Sequence, residues 1–325
     1  MIDAVKAGVN LDVLHQRALD VPMQRVSCSV LNNYGLELIV RRDDMIDPYQ
    51  SGNKFYKLFY NLRAANEQGI NQLLSFGGAY SNHLYALAAA GHSAGIRTVG
   101  VVRGERPAHL SPTLRDAEAW GMQLCFVPRA EYYSDNDELL NRLRASYGDF
   151  LLVPEGGANL NGARGAAVMG WAITQQLGDK FDDVCVPCGT GSTLAGLASA
   201  LPGDKTAIGF SVLKGQGTLV HQVSCLYASC LSLSASAGFA SGGRWRLISG
   251  YHAGGYARKL PSMVNDFWRD FEAETGILLD PVYSLKMFWG MAHLAAQSYW
   301  APGTRLVAVH TGGLQGRRGF QSELV

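Results

Sequence analysis

Two lysines about one helical turn apart, Lys54 and Lys57, follow the loop Asp47-Pro-Tyr-Gln-Ser-Gly-Asn and open a helical pattern. Leu58, Leu62 and Ala65 recur at helical spacing, and Arg63, Asn66 and Glu67 fall on the other face. Lys54 therefore stands at or near a helix N-terminus, where aligned peptide dipoles place about half a positive charge. That end charge and the repulsion from Lys57 both disfavour an ammonium. The spacing predicts an amine of lowered pKa, fit to attack a carbonyl carbon. A solvated lysine at a helix start is the alternative reading.

Two further stretches have chemical potential. Gly189-Thr-Gly-Ser-Thr193 follows an apolar strand and opens a helix. Its N–H groups, two hydroxyls and the helix dipole form an anion cradle suited to phosphate. It lacks the Gly-Lys-Ser/Thr of a P-loop, and its glycines do not match the dinucleotide fingerprint. A tight turn capped by Ser192 or Thr193 is the alternative. Ser81-Asn82-His83 follows Gly77-Gly78 at another helix start. It reads either as a nest of donors for a carboxylate or phenolate oxygen, or as plain N-capping by Ser81 or Asn82.

Positioning these groups requires a repeated beat of short apolar strand, glycine-rich turn and helix. Strands are expected at Leu36–Arg41, Asn71–Phe76, Arg97–Arg103, Leu124–Val127, Phe150–Val153, Asp183–Pro187, Ala207–Leu213, Trp245–Ser249 and Arg305–His310. Helices fill the intervals, among them Asn82–Ala94, Thr113–Trp120, Asp137–Ser146, Leu194–Leu201, Met263–Glu274 and Leu285–Gln297. Strands alternating with helices imply mostly parallel sheets covered on both faces. Four strands end in glycine turns: Gly77-Gly78, Gly156-Gly157, Gly189-Thr-Gly191 and Gly312-Gly313. Ligands of open α/β sheets bind outside the carboxyl ends of the strands, so these turns point to one shared site.

Composition narrows the class. The chain has 325 residues, 47% of them apolar, with 28 basic against 27 acidic side chains. That is enough for sizeable cores, and no basic stripe marks a nucleic-acid partner. Residues 1–22 are studded with charges and lack the apolar core of a signal peptide. The uncharged stretch from Gly215 to Gly243 reads as a buried helix plus loop rather than a membrane span. Cys185-Val-Pro-Cys188 has redox or metal spacing but no second pair, so two buried apolar cysteines are expected there. A cytoplasmic protein without a metal is the expectation.

The joint pattern carries a resemblance. Ser-Gly-Asn-Lys54, Ser81-Asn82-His83, Gly189-Thr-Gly-Ser-Thr193, Asp280-Pro-Val-Tyr283 and His310-Thr-Gly-Gly313 occur in this order in pyridoxal-phosphate enzymes of the tryptophan-synthase-β type. Within that group the chain resembles the 1-aminocyclopropane-1-carboxylate deaminase/D-cysteine desulfhydrase family, from about Leu36 to Gly313. The resemblance implies two open, twisted, mostly parallel α/β domains of fold type II, with pyridoxal 5'-phosphate in the cleft between them. The larger, discontinuous domain would be Met1–Lys57 plus Arg164–Val325, and the smaller, inserted one Leu58–Ala163.

The same resemblance implies roles. Lys54 would bond the cofactor and act as catalytic base, Asn82 would hold its phenolate oxygen, Gly189, Thr190, Gly191, Ser192 and Thr193 its phosphate, and Thr311 would face the pyridine nitrogen. Ser81 and His83 would hold the substrate carboxylate, and Tyr256 and Tyr283 would flank the substrate. The deaminases resembled here carry Glu after the tyrosine matching Tyr283 and leucine at Thr311. Ser284 and Thr311 look like the desulfhydrase side, with Ser284 as a substrate contact, and Leu285 stands where glycine is more usual. The expectation is a homodimeric lyase that takes a small amino acid, D-cysteine foremost, to pyruvate, ammonia and sulfide. Cyclopropane-ring deamination and a non-catalytic binding role are the alternatives.

Overall fold

A computed structural model describes residues 10–133, 137–215, 217–237, 242–256 and 259–320, with 234–237 described in backbone only. Two sheets organise these residues. The six-stranded sheet has the order β1 (Met23–Val26), β2 (Glu37–Arg41), β10 (Arg305–Val309), β7 (Asp183–Cys188), β8 (Thr206–Ser211) and β9 (Arg244–Ile248). Only the β1–β2 edge pair is antiparallel. The four-stranded sheet is wholly parallel, in the order β5 (Gln123–Val127), β4 (Arg97–Arg103), β3 (Gln72–Gly77) and β6 (Leu151–Val153).

The strand positions follow the expected beat within a few residues, and Arg97–Arg103 and Asn82–Ala94 coincide with it. Helix α1 (Leu11–Asp20) and strand β1 were not foreseen, since the first carries charges along its length and the second has only four residues. Helix α3 (Asn53–Glu67) packs on α8 (Leu160–Leu177), which packs on α9 (Ser192–Ser199). Both expected domain limits, at 57/58 and 163/164, fall within continuous helices α3 and α8. Along β10, Leu306 and Ala308 join one buried layer and Val307 and Val309 the other, as a sheet covered on both faces requires.

Helix α10 (Leu219–Ala237) corrects one expectation. It is not buried: Leu219, Val223 and Cys230 face inward, while Val220, Ser224, Cys225 and Ser229 are exposed. Absence of charge signalled burial, but serines and alanines tolerate water without charge. The loop expected after it falls at 238–241, outside the described residues. Cys185 and Cys188 are free and buried, as small apolar residues would be. No helix among the described residues is long and apolar enough to cross a membrane.

Topology gathers the glycine turns. In the large sheet, β7, β8 and β9 run one way and β10 returns on the other side of β7. In the small sheet, β3, β4 and β5 run one way and β6 returns on the other side of β3. Each reversal is a switch point with a crevice at the carboxyl ends of its two strands. The four turns are those after β7, β10, β3 and β6.

A buried ionic cluster fixes the strand end that leads to Lys54. Arg41, Asp43 and Tyr56 are each fully buried. Arg41 donates to Asp43 Oδ2 (3.0 Å), Gln176 Oε1 (2.7 Å), Ala18 O (2.8 Å) and Tyr56 Oη (3.0 Å). Tyr56 donates to Asp43 Oδ1 at 2.7 Å. Removing one partner leaves an uncompensated charge in the core. We expect Asp43→Ala to lower the unfolding free energy by about 3–5 kcal/mol. The exposed Arg63–Glu67 pair, broken by Arg63→Ala, should cost under about 1 kcal/mol. Urea denaturation followed by tryptophan fluorescence compares the two, and equal losses would show that the cluster is not a structural anchor.

Candidate active site

Lys54 is the second residue of α3, and the chain enters that helix through a conformation open to glycine. Gly52, the N-cap, has φ 71° and ψ −151°. A Cβ built on it would fall 1.8 Å from Thr311 O, so the loop before Lys54 lies directly on the turn after β10. Gly52 N donates to Asp43 O at 2.9 Å, which ties that loop to the buried cluster. On the other side of the contact, His310 is buried, its Nδ1 accepting from Gly312 N (3.2 Å). Its Nε2 therefore carries the proton and donates to Leu278 O (2.8 Å).

The Lys54 amine donates to Asn53 Oδ1 at 3.0 Å, and Asn53 Nδ2 donates to Thr193 Oγ1 at 2.9 Å. One amide thus links the amine to the anion cradle. The amine also lies over the Tyr283 ring, 5.8 Å from its centroid. Tyr283 and Tyr256 share a hydroxyl–hydroxyl hydrogen bond of 3.0 Å. Burial pushes the Lys54 amine down to about 8, with the Asp280 charge pulling the other way. The lowered pKa matches the sequence expectation, but the cause is desolvation rather than Lys57. Lys57 is itself buried and pushed well below its ordinary value, by burial first and then by Lys54.

The cradle has the form of an anion site. Gly191 is the N-cap of α9 at φ 79°, and no side chain caps the helix. Ser192 and Thr193 lie inside the helix, not at its cap, so the capping alternative fails. Instead Ser192 Oγ donates to Gly157 O (3.3 Å) and shares a 3.3 Å contact with Thr190 Oγ1. Behind the same turn, Lys57 Nζ donates to Gly156 O at 2.7 Å. Free helix N–H groups, two hydroxyls and an adjacent lysine fit a phosphate, whose charge would favour the ammonium form of Lys57. Leu219 and Val223 of α10 back Gly191, where a Cβ would come within 2.5 Å of Val223.

The remaining expected residues divide. Ser81 caps α4 (Asn82–Ala94), its Oγ accepting from Leu84 N at 3.2 Å, so it serves the helix start wherever else its hydroxyl points. His83 is buried with Nε2 on Ser75 Oγ (2.9 Å), while Nδ1 has no hydrogen-bond partner. Ser284 is fully buried and closes a local turn, accepting from Asp280 N (2.8 Å) and donating to Asp280 O (3.3 Å). Thr311 is buried at the crevice beside Gly52. Leu285 is fully buried in the core, so it fills space instead of reaching the site.

Sequence reasoning missed Asn53, Asp280 and Lys286 as site residues, although Asn53 and Asp280 lie within the quoted motifs. Asp280 is buried, accepts from Tyr283 N on Oδ1 (2.5 Å) and has no hydrogen-bond partner on Oδ2. Burial pushes its carboxyl up to about 6, against the Tyr283 amide and the Lys286 charge. Lys286, fully buried, donates to Gly255 O (2.5 Å) and Val212 O (3.2 Å) and so holds the loop that carries Tyr256. A cleft of about 640 Å³ lined by Tyr80, Arg103, Ser111 and Arg129 opens at the carboxyl ends of β3, β4 and β5, next to Ser81. Lys54 is not part of its lining.

The chain is similar to known proteins in sequence and in fold. The profile of the family described as "Pyridoxal-phosphate dependent enzyme" matches residues 20–312. A mitochondrial bifunctional D-cysteine desulfhydrase/1-aminocyclopropane-1-carboxylate deaminase of Arabidopsis thaliana is 28% identical over 92% of this chain and 77% of its own. A D-cysteine desulfhydrase of Klebsiella pneumoniae is 28% identical, covering 87% of this chain and 88% of its own. The crystal structure of an ACC deaminase homologue superposes with a TM-score of 0.81 at 26% identity, over 94% of this chain and 92% of that one.

The neutral amine is the reactive form, so acylation of Lys54 should rise with pH through about 8 and then level off. An ordinary lysine keeps gaining reactivity up to about 10.4. Competitive acetylation of the cofactor-free protein, with peptide mapping, reads each lysine separately. Asp280→Asn removes the opposing charge and should move the Lys54 midpoint lower still. A midpoint for Lys54 matching that of exposed lysines would refute the buried-amine assignment.

Proposed function

The chain belongs to the pyridoxal-phosphate dependent enzyme family, and from that membership we propose that it is a lyase acting on a small amino acid. D-Cysteine is the first substrate, giving pyruvate, ammonia and sulfide. The reading includes a cytosolic homodimer, with residues 58–163 as an inserted lobe. The observation that carries the reading is the Lys54 amine at the crevice, linked through Asn53 to the cradle and facing the Tyr283–Tyr256 pair.

Pyridoxal 5'-phosphate is the cofactor of the family. Lys54 would bond its carbonyl carbon, Gly189 to Thr193 with Lys57 would hold the phosphate, Asn82 the ring oxygen, and Thr311 would face the ring nitrogen. When bound it supplies an electron sink for negative charge on the substrate carbon that bears the amino group. Lys54, as a free amine, takes the proton from that carbon. The resulting ammonium is held over the Tyr283 ring face, whose quadrupole favours a cation, and within the field of Asp280. The electrons of the broken C–H bond form the new carbon–carbon double bond as sulfur leaves with the C–S pair. The paired Tyr256 and Tyr283 hydroxyls supply the proton to the sulfur. Ser81 and His83 take the substrate carboxylate, for which the unpartnered His83 Nδ1 is a ready partner.

The second reading is ring opening of 1-aminocyclopropane-1-carboxylate to 2-oxobutyrate and ammonia. Asp280 favours it, as a buried carboxylate whose charge acts on Lys54. Against it stands Ser284, whose hydroxyl is engaged by the Asp280 backbone and offers no acid in the deaminase position.

The cradle is tested at Ser192 rather than at Gly191, where any side chain would collide with α10 whatever the loop binds. Ser192→Ala should weaken pyridoxal phosphate binding about tenfold, as the loss of one hydrogen bond to a charged group does. Lys57→Met should weaken it further. Equilibrium dialysis measures both, and unchanged retention would reduce the loop to a turn.

The purified protein should be yellow, and Lys54→Ala should abolish both the colour and turnover. Borohydride reduction and peptide mapping should mark Lys54. With sulfide and 2-oxo acid both assayed, D-cysteine should exceed the cyclopropane substrate by at least about 10² in kcat/KM, the effect of lacking one positioned acid–base group. Comparable rates would favour the second reading, and a label on Lys57, Lys259 or Lys286 would overturn the base assignment.

A further inference from the structure

The Asn82 amide lies between chemically opposite neighbours. On one side Gln315 Nε2 donates to Asn82 Oδ1 at 2.7 Å. On the other, a carbon built on Gly313 would fall 2.3 Å from Asn82 Nδ2 and 3.2 Å from Asp280 Oδ2. The NH2 end thus shares one small space with a buried carboxylate oxygen, whose ionised form it favours as a loosely aligned donor. A carboxylate on that side excludes the amide oxygen there. A Gln315 NH2 group on the other side requires an acceptor. The two neighbours together allow one orientation of the amide.

Gln315 is held firmly enough to enforce it. It lies in the short 3-10 segment Leu314–Gly319, which follows the turn after β10. Arg318 Nε donates to Gln315 O at 3.1 Å, and Nη2 of the same guanidinium to Asp116 Oδ2 at 2.6 Å. Asp116 belongs to α5 (Pro112–Ala119), beside the small sheet. Arg317 is fixed on Glu272 of α11 (Ser262–Thr275), on Leu279 O and over the Trp268 ring, beside the large sheet. Gln315 is therefore anchored to both halves of the crevice, and its amide is directed at Asn82.

We infer that Gln315 is a positioning residue: it holds the Asn82 amide with its NH2 group toward the site, so that Asn82 donates to the ring oxygen of the bound cofactor. The inference rests on the reading of Asn82 as the partner of that oxygen. Gln315 itself touches neither cofactor nor substrate. Replacing it by an acceptor sets the amide between two carboxylates, so that whichever way it turns one oxygen faces another and the donor is no longer held toward the site. Replacing it by an apolar side chain of similar length leaves the amide oxygen without its donor and Asp280 alone to orient the group.

A chemical double-mutant cycle isolates this role. The dissociation constants of pyridoxal phosphate and of its 3-deoxy analogue, which lacks only the ring oxygen, are measured by equilibrium dialysis for the full-length protein. The variants are Gln315→Glu, Gln315→Met and Asn82→Ala. Gln315→Glu should weaken pyridoxal phosphate about ten- to hundredfold and Gln315→Met about tenfold or less, with the 3-deoxy analogue nearly unaffected by either. Equal losses for the two ligands would mean a merely structural role and overturn the inference, as would no loss for either. Asn82→Ala separates the two levels. If it too fails to distinguish the ligands, the Asn82 reading falls. If it distinguishes them and both Gln315 variants do not, only the role of Gln315 falls.

Discussion

A guanidinium buried without access to water is the constraint on which this structure turns. Arg41 at the end of β2 has its donors spread over a carboxylate, a phenol, an amide and a backbone carbonyl, drawn from β2's own continuation and from α1, α3 and α8. A buried charge is tolerable only when such partners stand in fixed places. Those partners fix the start of the helix that carries Lys54. Tyr56 is two residues beyond Lys54, and Asp43 O anchors Gly52, two residues before it. The unforeseen elements α1 and β1 find their purpose here, since they close this cluster and the edge of the sheet that carries it.

With the helix start fixed, the amine is tuned by desolvation more than by its neighbours. A helix-end dipole is worth roughly 0.3–1 kcal/mol at an exposed site, whereas burial moves a lysine by several pH units in the extreme. Lys57 is also pushed well below its ordinary value by burial, so a phosphate beside it would favour its charged form. Asp280 works in the opposite sense and keeps Lys54 titrating near neutrality. Its own pKa near 6 lets it remain largely ionised at pH 7.

The loops at the crevice meet through contacts that are mostly backbone and glycine. Gly52 on Thr311, Gly312 on Ser51 and Gly313 on Asn82 leave no room for a side chain at any of the three positions. Such approach brings loops from distant parts of the chain within reach of one small ligand. The segment Leu314–Gly319 then spans the crevice through paired arginines, one to each side. Rigidity at the site arises from this crowding and bracing, while Tyr256 stays half in solvent at the rim.

The sequence by itself determined the alternation of strand and helix, the glycine turns and the place of Lys54 at a helix start. Those depend on local periodicity and on residue types that tolerate few alternatives. It also determined the family, because five short motifs in one order are specific where each alone is weak. Tertiary structure alone decided that the four glycine turns flank two facing switch points, since strand order is not written in any local pattern. It decided that α10 is half exposed, because lack of charge does not distinguish a buried serine from a wet one. It also decided the cause of the Lys54 shift and the hydrogen-bond partners of Asn53, Asp280 and Gln315. Burial and hydrogen-bond direction depend on what other segments bring to a residue, and none of those segments is its neighbour in sequence.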